Sequence, residues 1–114
     1  MLYNNIKMGL TKAYIFTKDQ NVLADIFKAL AHPGRIAILQ HISKQKGCIC
    51  NDIVEEIGLA QPTISQHLKE LKQVGLIKGE ISGKKICYCI NTERWTEIQS
   101  LINNFLLKTE SNSC

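Results

Sequence analysis

The chain lacks the features that would place it in a membrane or mark it for secretion. Across its 114 residues, no apolar run is long enough to cross a bilayer. The first residues contain no long apolar core before a cleavage site, so we see no signal peptide. Internal repeats and low-complexity tracts are also missing. These absences predict a cytoplasmic protein without a membrane partner, and the length is that of one domain.

The motifs of common enzymes are missing as well. We find no glycine-rich phosphate loop, no paired carboxylates, and no spacing that would pair a cysteine nucleophile with a histidine base. Apolar residues make up 45% of the chain, which is enough for a packed core, whereas aromatic residues make up only 6%. A chain of this size has little room for a large enclosed active site. We therefore expect a protein that is not an enzyme.

The first third of the chain predicts two helices. Residues 1–18 carry the weakest pattern and form either an arm or a short helix. A helix capped by Asp19 follows and ends near Ala31, because the residue before Pro33 disfavours helical backbone. Pro33 itself suits the first turn of the second helix. The apolar stripes are Val22, Leu23, Ile26, Phe27 and Leu30 in the first helix, and Ile36, Leu39 and Ile42 in the second.

The middle of the chain has the order of signals of a helix-turn-helix. Asn51 or Asp52 caps a third helix, and Gly58 supplies a tight turn. A fourth helix is opened by Pro62 and closed by Gly75, which suits the left-handed position after a helix. The residues expected to face inward are Ile53, Val54 and Ile57 in the third helix, and Ile64, Leu68 and Leu71 in the fourth.

A hairpin and a last helix complete the pattern. Ile77/Gly79/Ile81 and Ile86/Tyr88/Ile90 alternate at period two, so each strand is expected to bury one face, with Ser82-Gly83-Lys84 as the turn. The last helix carries a stripe of Trp95, Ile98, Ile102, Phe105 and Leu106 before a polar tail, residues 109–114. The fold class is therefore mainly α with a small β-hairpin wing. We expect a winged helix-turn-helix of about five helices, formed by residues 19–108.

The polar face of the fourth helix has the side chains that a DNA-reading helix needs. Hydroxyl and amide groups reach base edges in the major groove, whereas lysine and arginine bind phosphates. We expect base contacts from Gln61, Thr63, Ser65 and Gln66, and phosphate contacts from Lys69, Lys84, Lys85 and Arg35. The alternative is a solvated helix face. We favour DNA because the turn, the closing glycine and the basic wing agree.

The distribution of charge also favours double-stranded DNA as the partner. The net charge of +4 is small, but residues 61–90 hold five lysines against two glutamates. We expect Glu70 to point to solvent, and His67 to be a packed or hydrogen-bonded structural residue. The alternative function is a winged helix that binds proteins instead of DNA, and the wing lysines argue against it.

Two motifs carry a resemblance to a known family. ALAHPGRIAIL at residues 29–39 and LAQPTISQHLKELKQVGLI at residues 59–77 closely resemble the ArsR/SmtB transcriptional repressors, and the resemblance covers roughly residues 21–107. It implies a winged-helix homodimer, joined through its first and last helices, which releases operator DNA when an effector binds. Residues 19–108 would then form the DNA-binding and dimerisation domain, with the apolar stripe of the last helix in the dimer interface. The family's serine at the start of the recognition helix is Ala60 here, so a side-chain cap is lost.

The family's metal sites are checked position by position through the same resemblance. The zinc site on the last helix corresponds to Thr92, Arg94, Phe105 and Lys108, none of which is a plausible zinc ligand. The arsenic site is a Cys-x-Cys-x-x-Cys run at the third helix. This chain offers Cys48 and Cys50, one residue out of register, with Ile53 in the third place.

The cysteines leave the effector open. We expect the strand before the third helix to pair with the last wing strand, which would bring Cys48 and Cys50 beside Cys87 and Cys89. Residues two apart on one strand have Cβ atoms about 6.6 Å apart, which is wide for one ion. If Cys48 and Cys50 instead face the core, the two pairs lie on different faces and no four-cysteine site forms.

Several roles remain for these side chains. In one interpretation, Cys48 and Cys50 are small packing residues. In the other, a sensor of soft metal, arsenite or thiol redox state is formed by Cys87 and Cys89, with or without Cys48 and Cys50. Cys114, in the tail, is incidental. No cofactor is certain from the sequence, and a soft metal ion or arsenite at the cysteines is the only candidate.

Overall fold

The computed structural model describes residues 13–49 and 53–108. Within them, a short 3₁₀ turn at Ala13–Ile15 precedes five α-helices and one β-hairpin, in the order of a winged helix-turn-helix. This confirms the predicted fold class. The elements are α1 (Lys18–Leu30), α2 (Pro33–Ser43), α3 (Ile53–Ile57), α4 (Gln61–Gln73), β1 (Ile77–Ser82), β2 (Lys85–Ile90) and α5 (Thr92–Leu107). The predictions for residues 1–12, Cys50, the Asn51 or Asp52 cap, and the tail with Cys114 lie outside the described residues.

The start of α1 corrects the predicted cap. Thr17 is the N-cap: its hydroxyl accepts from the amide of Gln20 at 3.1 Å, and its own amide donates to Gln20 Oε1 at 2.9 Å. This reciprocal capping box satisfies two backbone donors at once, which Asp19 would not do from its place in the first turn. Asp19 still interacts favourably with the positive end of the helix dipole.

The core lies between α2, α4 and the base of the hairpin. Its largest fully buried side chains are Ile26, Ile38, Ile42, Ile64, Leu71 and Ile77. The predicted inner stripe of α2 was wrong at Ile36, which is 39% exposed, while the neighbouring Ile38 is fully buried. Because α2 contacts α1, α3, α4 and β2, its buried surface covers several sides and does not follow one stripe.

The end of α4 has the predicted glycine stop. Gly75 has a φ of 85°, and its amide donates to the carbonyl of Lys72 at 3.0 Å, while the amide of Leu76 donates to Leu71 at 3.0 Å. Leu76 is only 4% exposed, as the apolar contact after such a stop requires. The side chain of Arg94 crosses Gly75 and donates from Nε to the carbonyl of Val74 at 3.1 Å. This contact joins the end of α4 to the start of α5.

The hairpin is antiparallel, with Ile77 opposite Ile90 at its base and Ser82 opposite Lys85 at its tip. Its buried face is shorter than predicted, because Ile81 is 83% exposed and Ile86 is 51% exposed. Both residues lie near the tip, beyond the reach of the core.

The predicted pairing of the strand before α3 is confirmed. Ile49 forms an isolated antiparallel bridge with Tyr88, with N···O distances of 2.7 and 2.8 Å. The segment that leads into α3 is therefore bonded to the wing.

The last helix is divided along its length. Its N-terminal half is attached to the subunit: Asn91 caps it, the indole of Trp95 donates to the carbonyl of Leu76 at 2.9 Å, and Ile98 is buried. Its C-terminal half leaves Phe105 and Leu106 exposed. Among the described residues, none of the helices is both long and apolar enough to cross a membrane.

The core assignment predicts a contrast between two isoleucine-to-alanine substitutions. Ile38→Ala removes a fully buried side chain and should lower the free energy of unfolding by about 2–5 kcal/mol. Ile81→Ala changes a side chain that is 83% exposed and should alter the free energy by less than about 0.5 kcal/mol. Urea unfolding at one fixed protein concentration measures both. Equal losses in the two variants would contradict the assigned core.

Candidate nucleic-acid interface and thiol cluster

The buried face of α4 determines which side chains point outward. Ile64, His67, Leu68 and Leu71 are buried against the core. The predicted base-contacting residues Gln61, Thr63, Ser65 and Gln66 are all exposed, and so are Pro62 and Lys69. One side of a helix thus offers hydroxyl, amide and ammonium groups to solvent while the other is held by packing.

Two pairs of side chains on that face are already hydrogen-bonded. Gln61 Nε2 donates to Ser65 Oγ at 3.0 Å, and Gln66 Nε2 donates to Glu70 Oε2 at 2.8 Å. Glu70 is half-buried and accepts from Gln66, so it does not simply point to solvent as expected. Ala60 caps the helix without a side-chain hydrogen bond, as the sequence predicted. Without a side-chain cap, the first backbone amides of α4 lack an acceptor from the protein. This costs about 1 kcal/mol of helix stability and leaves these N–H donors available to a ligand.

The wing and α4 share one groove. It has a volume of about 510 Å³ and lies between α3, α4 and the hairpin. Gln61 and Ser65 of α4 line it together with Lys84 at the tip of the hairpin. Lys84 and Lys85 are both exposed. The structure therefore brings two of the predicted base-contacting residues, Gln61 and Ser65, and one of the predicted phosphate-contacting lysines, Lys84, into the same groove.

Arg35 is placed differently from the other predicted DNA contacts. Its Nε donates to His67 Nδ1 at 3.1 Å, and its Nη1 donates to the carbonyls of Lys28 and Ala29 at 3.3 and 3.2 Å. The guanidinium thereby joins the end of α1 to α2 and α4. Arg35 does not lie on the exposed face of α4, and its contact with phosphate stays a prediction.

His67 is a structural histidine, as expected. It is 5% exposed, its ring centroid lies 4.3 Å from that of His32, and its Nε2 has no hydrogen-bond partner among the described residues. Burial lowers the pKa of His67, and the adjacent His32 and Arg35 lower it further, while Glu70 acts in the opposite direction. The imidazole is therefore held neutral, so that Nδ1 can accept from Arg35.

The cysteines are grouped across the two Cys-x-Cys pairs, in a way that the open alternatives allowed only in part. The ligand atoms of Cys48, Cys89 and Glu80 all lie within 4.8 Å of one another, and the Cys48 thiol donates to Glu80 Oε1 at 3.2 Å. Cys87, which was paired with Cys89 in the sequence interpretation, is 3% exposed and disulfide-bonded. The structure thus brings together one cysteine from each Cys-x-Cys pair.

The orientation of Cys48 follows from the Ile49–Tyr88 bridge. In an antiparallel pair, the residue before Ile49 lies beside the residue after Tyr88, so Cys48 meets Cys89 on one face. The alternative in which Cys48 faces the core is wrong, because Cys48 is half-buried and lies outside the core cluster. Its hydrogen bond with Cys89, together with partial burial and the Glu80 carboxylate, raises the pKa of the Cys48 thiol to about 12.

Glu80 was missed by the sequence interpretation. It lies opposite Cys87 in the hairpin, so its side chain emerges on the face that also carries Cys89. Counting residues outward from the two-residue turn at Gly83 and Lys84 gives this register. The signal was therefore present in the sequence, in the length of the turn.

Comparison with known families gives a consistent assignment. Residues 32–78, from the start of α2 into β1, match the sequence profile of the bacterial regulatory protein arsR family. This segment contains the helix-turn-helix and ends where the wing begins.

Individual relatives extend the match. The chain is 39% identical over 64 residues to the HTH-type transcriptional repressor SmtB of Mycobacterium tuberculosis, a match that covers 56% of this chain but only 47% of the relative. It is 38% identical to an HTH-type transcriptional regulator of Methanocaldococcus jannaschii, over 70% of this chain and 90% of that one. It is 32% identical to the arsenical resistance operon repressor of Staphylococcus xylosus, over 81% and 86%.

A solved structure shares the fold. The homodimeric winged helix-turn-helix DNA-binding domain of a possible ArsR-family regulator from Mycobacterium bovis superposes with a TM-score of 0.62. The superposition covers 90% of this chain and 91% of that domain, at 23% sequence identity. The arrangement of five helices and a hairpin is thus the one seen in that domain.

The burial of His67 predicts how stability depends on pH. The pKa is lower in the folded protein than the ordinary value of 6.5, so between the two values the unfolded chain binds more protons at this site. The free energy of unfolding should therefore fall as the pH decreases through about 6.5. Urea unfolding measured from about pH 8 to about pH 5 covers the range in which histidine ordinarily titrates.

The His67→Gln variant should lose much of this pH dependence, because glutamine does not titrate and its oxygen can still accept from Arg35. His41→Gln, on the far end of α2, is the matched control. An unchanged pH dependence in His67→Gln would show that another group is responsible.

Proposed function

The chain belongs to the ArsR family of bacterial regulatory proteins, and on that basis we propose that it is a repressor that binds double-stranded operator DNA as a homodimer. The match to the mycobacterial SmtB repressor covers only about half of that repressor's length, whereas the match to the M. jannaschii regulator covers about nine tenths of its length. In this proposal α4 enters the major groove, and the lysines of the wing contact phosphates beside it.

The observation that carries the proposal is the shared orientation of α4 and the wing. Gln61 and Ser65 line a groove together with Lys84, and the buried Ile64 and Leu68 form the inner part of the same groove. A helix held in this way presents its polar side chains to base edges without losing core contacts. Thr63 and Gln66 complete the proposed base contacts, and Lys69 and Lys85 complete the proposed phosphate contacts.

The homodimer is supported by an exposed apolar surface on α1 and α5. Phe27 is 38% exposed, Phe105 45%, Leu106 56% and Leu107 60%, and the rings of Phe27 and Phe105 lie 6.1 Å apart. A contiguous apolar surface of this kind is typical of an interface. We propose that α5 contributes Phe105 and Leu106, with the half-buried Trp95 and Ile102 beside the buried Ile98. The mycobacterial domain of the same fold is itself a homodimer.

Release from DNA by an effector that acts on cysteine thiols is the second part of the proposal. Soft metal ions, arsenite and thiol oxidants all react with thiolates. The S. xylosus relative represses an arsenical resistance operon, and two thiols and a carboxylate lie together in this chain. The alternative is a winged-helix regulator, or a protein-interaction module, whose cysteines are purely structural. The exposed lysines beside α4 argue against a loss of DNA binding.

The DNA-binding proposal predicts a steep dependence on salt. Binding to a duplex from upstream of its own gene should weaken as salt rises, because bound phosphates release counterions. Lys84→Ala and Lys85→Ala should each reduce the slope of log affinity against log salt by about 0.9 for every phosphate contact removed. Lys44→Ala, at the far end of α2, should leave the slope unchanged. Fluorescence anisotropy at several salt concentrations measures all of these.

Base contacts are tested by a different readout. Gln66→Ala should reduce discrimination between the operator and a scrambled duplex by about 1–3 kcal/mol, with little change in the salt slope. A parent protein that binds neither duplex at low salt would overturn the proposal in favour of a protein-interaction module.

The proposed interface predicts a monomeric variant. Leu106→Glu places a charge on the exposed apolar surface of α5 and should increase the dimer dissociation constant by at least tenfold. Ser100→Glu adds the same charge at an exposed polar position of the same helix and is the matched control. Sedimentation equilibrium measures the dimer dissociation constants of both variants. A parent protein that stays monomeric at high concentration would contradict the proposed assembly.

A further inference from the structure

Three side chains that can bind a cation meet where the segment before α3 joins the wing. Cys48 comes from that segment, Glu80 from β1 and Cys89 from β2, and their ligand atoms lie within 4.8 Å of one another. The thiol of Cys48 already lies 3.2 Å from Glu80 Oε1. Three separate pieces of backbone thus converge on one point, held there by the Ile49–Tyr88 bridge and the hairpin register.

The donor set selects the class of ion. Zinc-like cations bind thiolate sulfur at about 2.3 Å and carboxylate oxygen at about 2.0–2.2 Å, so ligand atoms around one tetrahedral ion lie roughly 3.5 Å apart. Closing the present separations to that value takes small rotations of the three side chains and a small movement of the strands that carry them. Two sulfurs and one oxygen favour a divalent ion of intermediate softness, since a softer ion prefers sulfur alone and a hard ion prefers oxygen alone.

We infer that Cys48, Cys89 and Glu80 form a binding site for a divalent cation of the zinc and cadmium type, and that the bound cation weakens DNA binding by displacing the wing. The second half of this inference rests on the proposed function. Each thiol that becomes a ligand releases its proton to solvent, and the fourth position of the ion remains open to water.

The position of the site explains why the wing would move. Glu80 and Cys89 lie on the two strands of the hairpin, and Lys84 lies at its tip. Cys48 belongs to the segment that leads into α3. Drawing these three side chains around one ion changes the angle between the hairpin and α3, which together form two walls of the groove beside α4. Lys84 would then no longer lie in the orientation that reaches phosphate.

Direct binding tests the site. Protein kept free of oxygen is titrated with Co²⁺, whose visible and near-ultraviolet spectrum reports tetrahedral geometry and thiolate ligands, and Zn²⁺ is then added in competition. We expect one equivalent bound per chain with a cobalt–thiolate band. Cys48→Ser, Cys89→Ser and Glu80→Gln should each weaken binding by more than about tenfold.

Matched substitutions elsewhere provide the controls. Cys114→Ser removes a thiol and Glu93→Gln removes an exposed carboxylate of α5, and neither should alter the cobalt spectrum or the affinity. Glu80 is exposed, so Glu80→Gln should keep the parent's circular dichroism and urea midpoint. Parent-like affinity in Cys48→Ser or Cys89→Ser, or a cobalt spectrum without thiolate character, would overturn the site.

A second measurement separates the site from the DNA-binding function. Anisotropy with operator duplex is recorded for metal-free protein and again with Zn²⁺ at saturation. We expect at least a tenfold loss of affinity in the parent and less than a twofold change in Glu80→Gln. Cation binding that leaves DNA affinity unchanged would overturn the regulatory half alone. Failure of the metal-free parent to bind any duplex would instead overturn the proposed function, while the cobalt titration still decides the site.

Discussion

The burial of one side of α4 is the constraint on which the rest of the molecule depends. Ile64, Leu68 and Leu71 are each no more than 6% exposed, so rotating the helix about its axis would bring apolar side chains into water. Exposing even one of them costs about 1.5–3 kcal/mol. The packing of the buried face therefore fixes the direction in which the polar face points. The polar side chains need no contacts with other elements to hold that direction. DNA recognition needs this property, because base edges accept only a narrow range of helix positions.

A partly buried polar contact also orients the same helix. Arg35 joins His67 of α4 to the last carbonyls of α1, and the stop of α1 at His32-Pro33 is what brings the guanidinium to this junction. The contact requires a neutral imidazole, since a protonated His67 has no lone pair to accept from Arg35. Burial beside the guanidinium maintains that state. An arginine that sequence patterns assign to phosphate is thus used to position the helix that would meet the DNA.

Much of the fold could be predicted because most elements bury a single face. The buried face of α4 and the glycine stop at Gly75 follow directly from periodicity and backbone conformation. The predicted stripe of α1 was right at Ile26 but wrong at Phe27, which is 38% exposed. The prediction failed for α2, where Ile38 is buried and Ile36 exposed, since a helix that touches four other elements has no single inner stripe. It also placed the cap of α1 at Asp19, because the residue pair Thr17 and Gln20 was overlooked.

The sequence predicted the DNA-facing part of the candidate site better than the thiol cluster, because the first lies on one helix and the second joins several segments. Gln61, Thr63, Ser65 and Gln66 share one helix, so their common exposure can be read from spacing alone. The thiol cluster joins residues 48, 80 and 89, and its membership depends on two registers at once: that of the hairpin and that of the Ile49–Tyr88 bridge. The sequence predicted that the two strands pair but not their register, and the register makes Cys48 the neighbour of Cys89.

The bridge between Ile49 and Tyr88 gives the wing a second attachment, and this changes what the hairpin can do. A two-stranded hairpin alone is only marginally stable in water. Here its C-terminal strand is hydrogen-bonded to the segment before α3, so the hairpin and α3 form one connected unit at the base and separate toward the tip. Lys84 at the tip lies five residues from Cys89 along the chain, about 16 Å in extended strand. A change of a few degrees at the base therefore displaces the tip by about 1 Å, which would be enough to lengthen the proposed hydrogen bond from Lys84 to phosphate beyond its useful range.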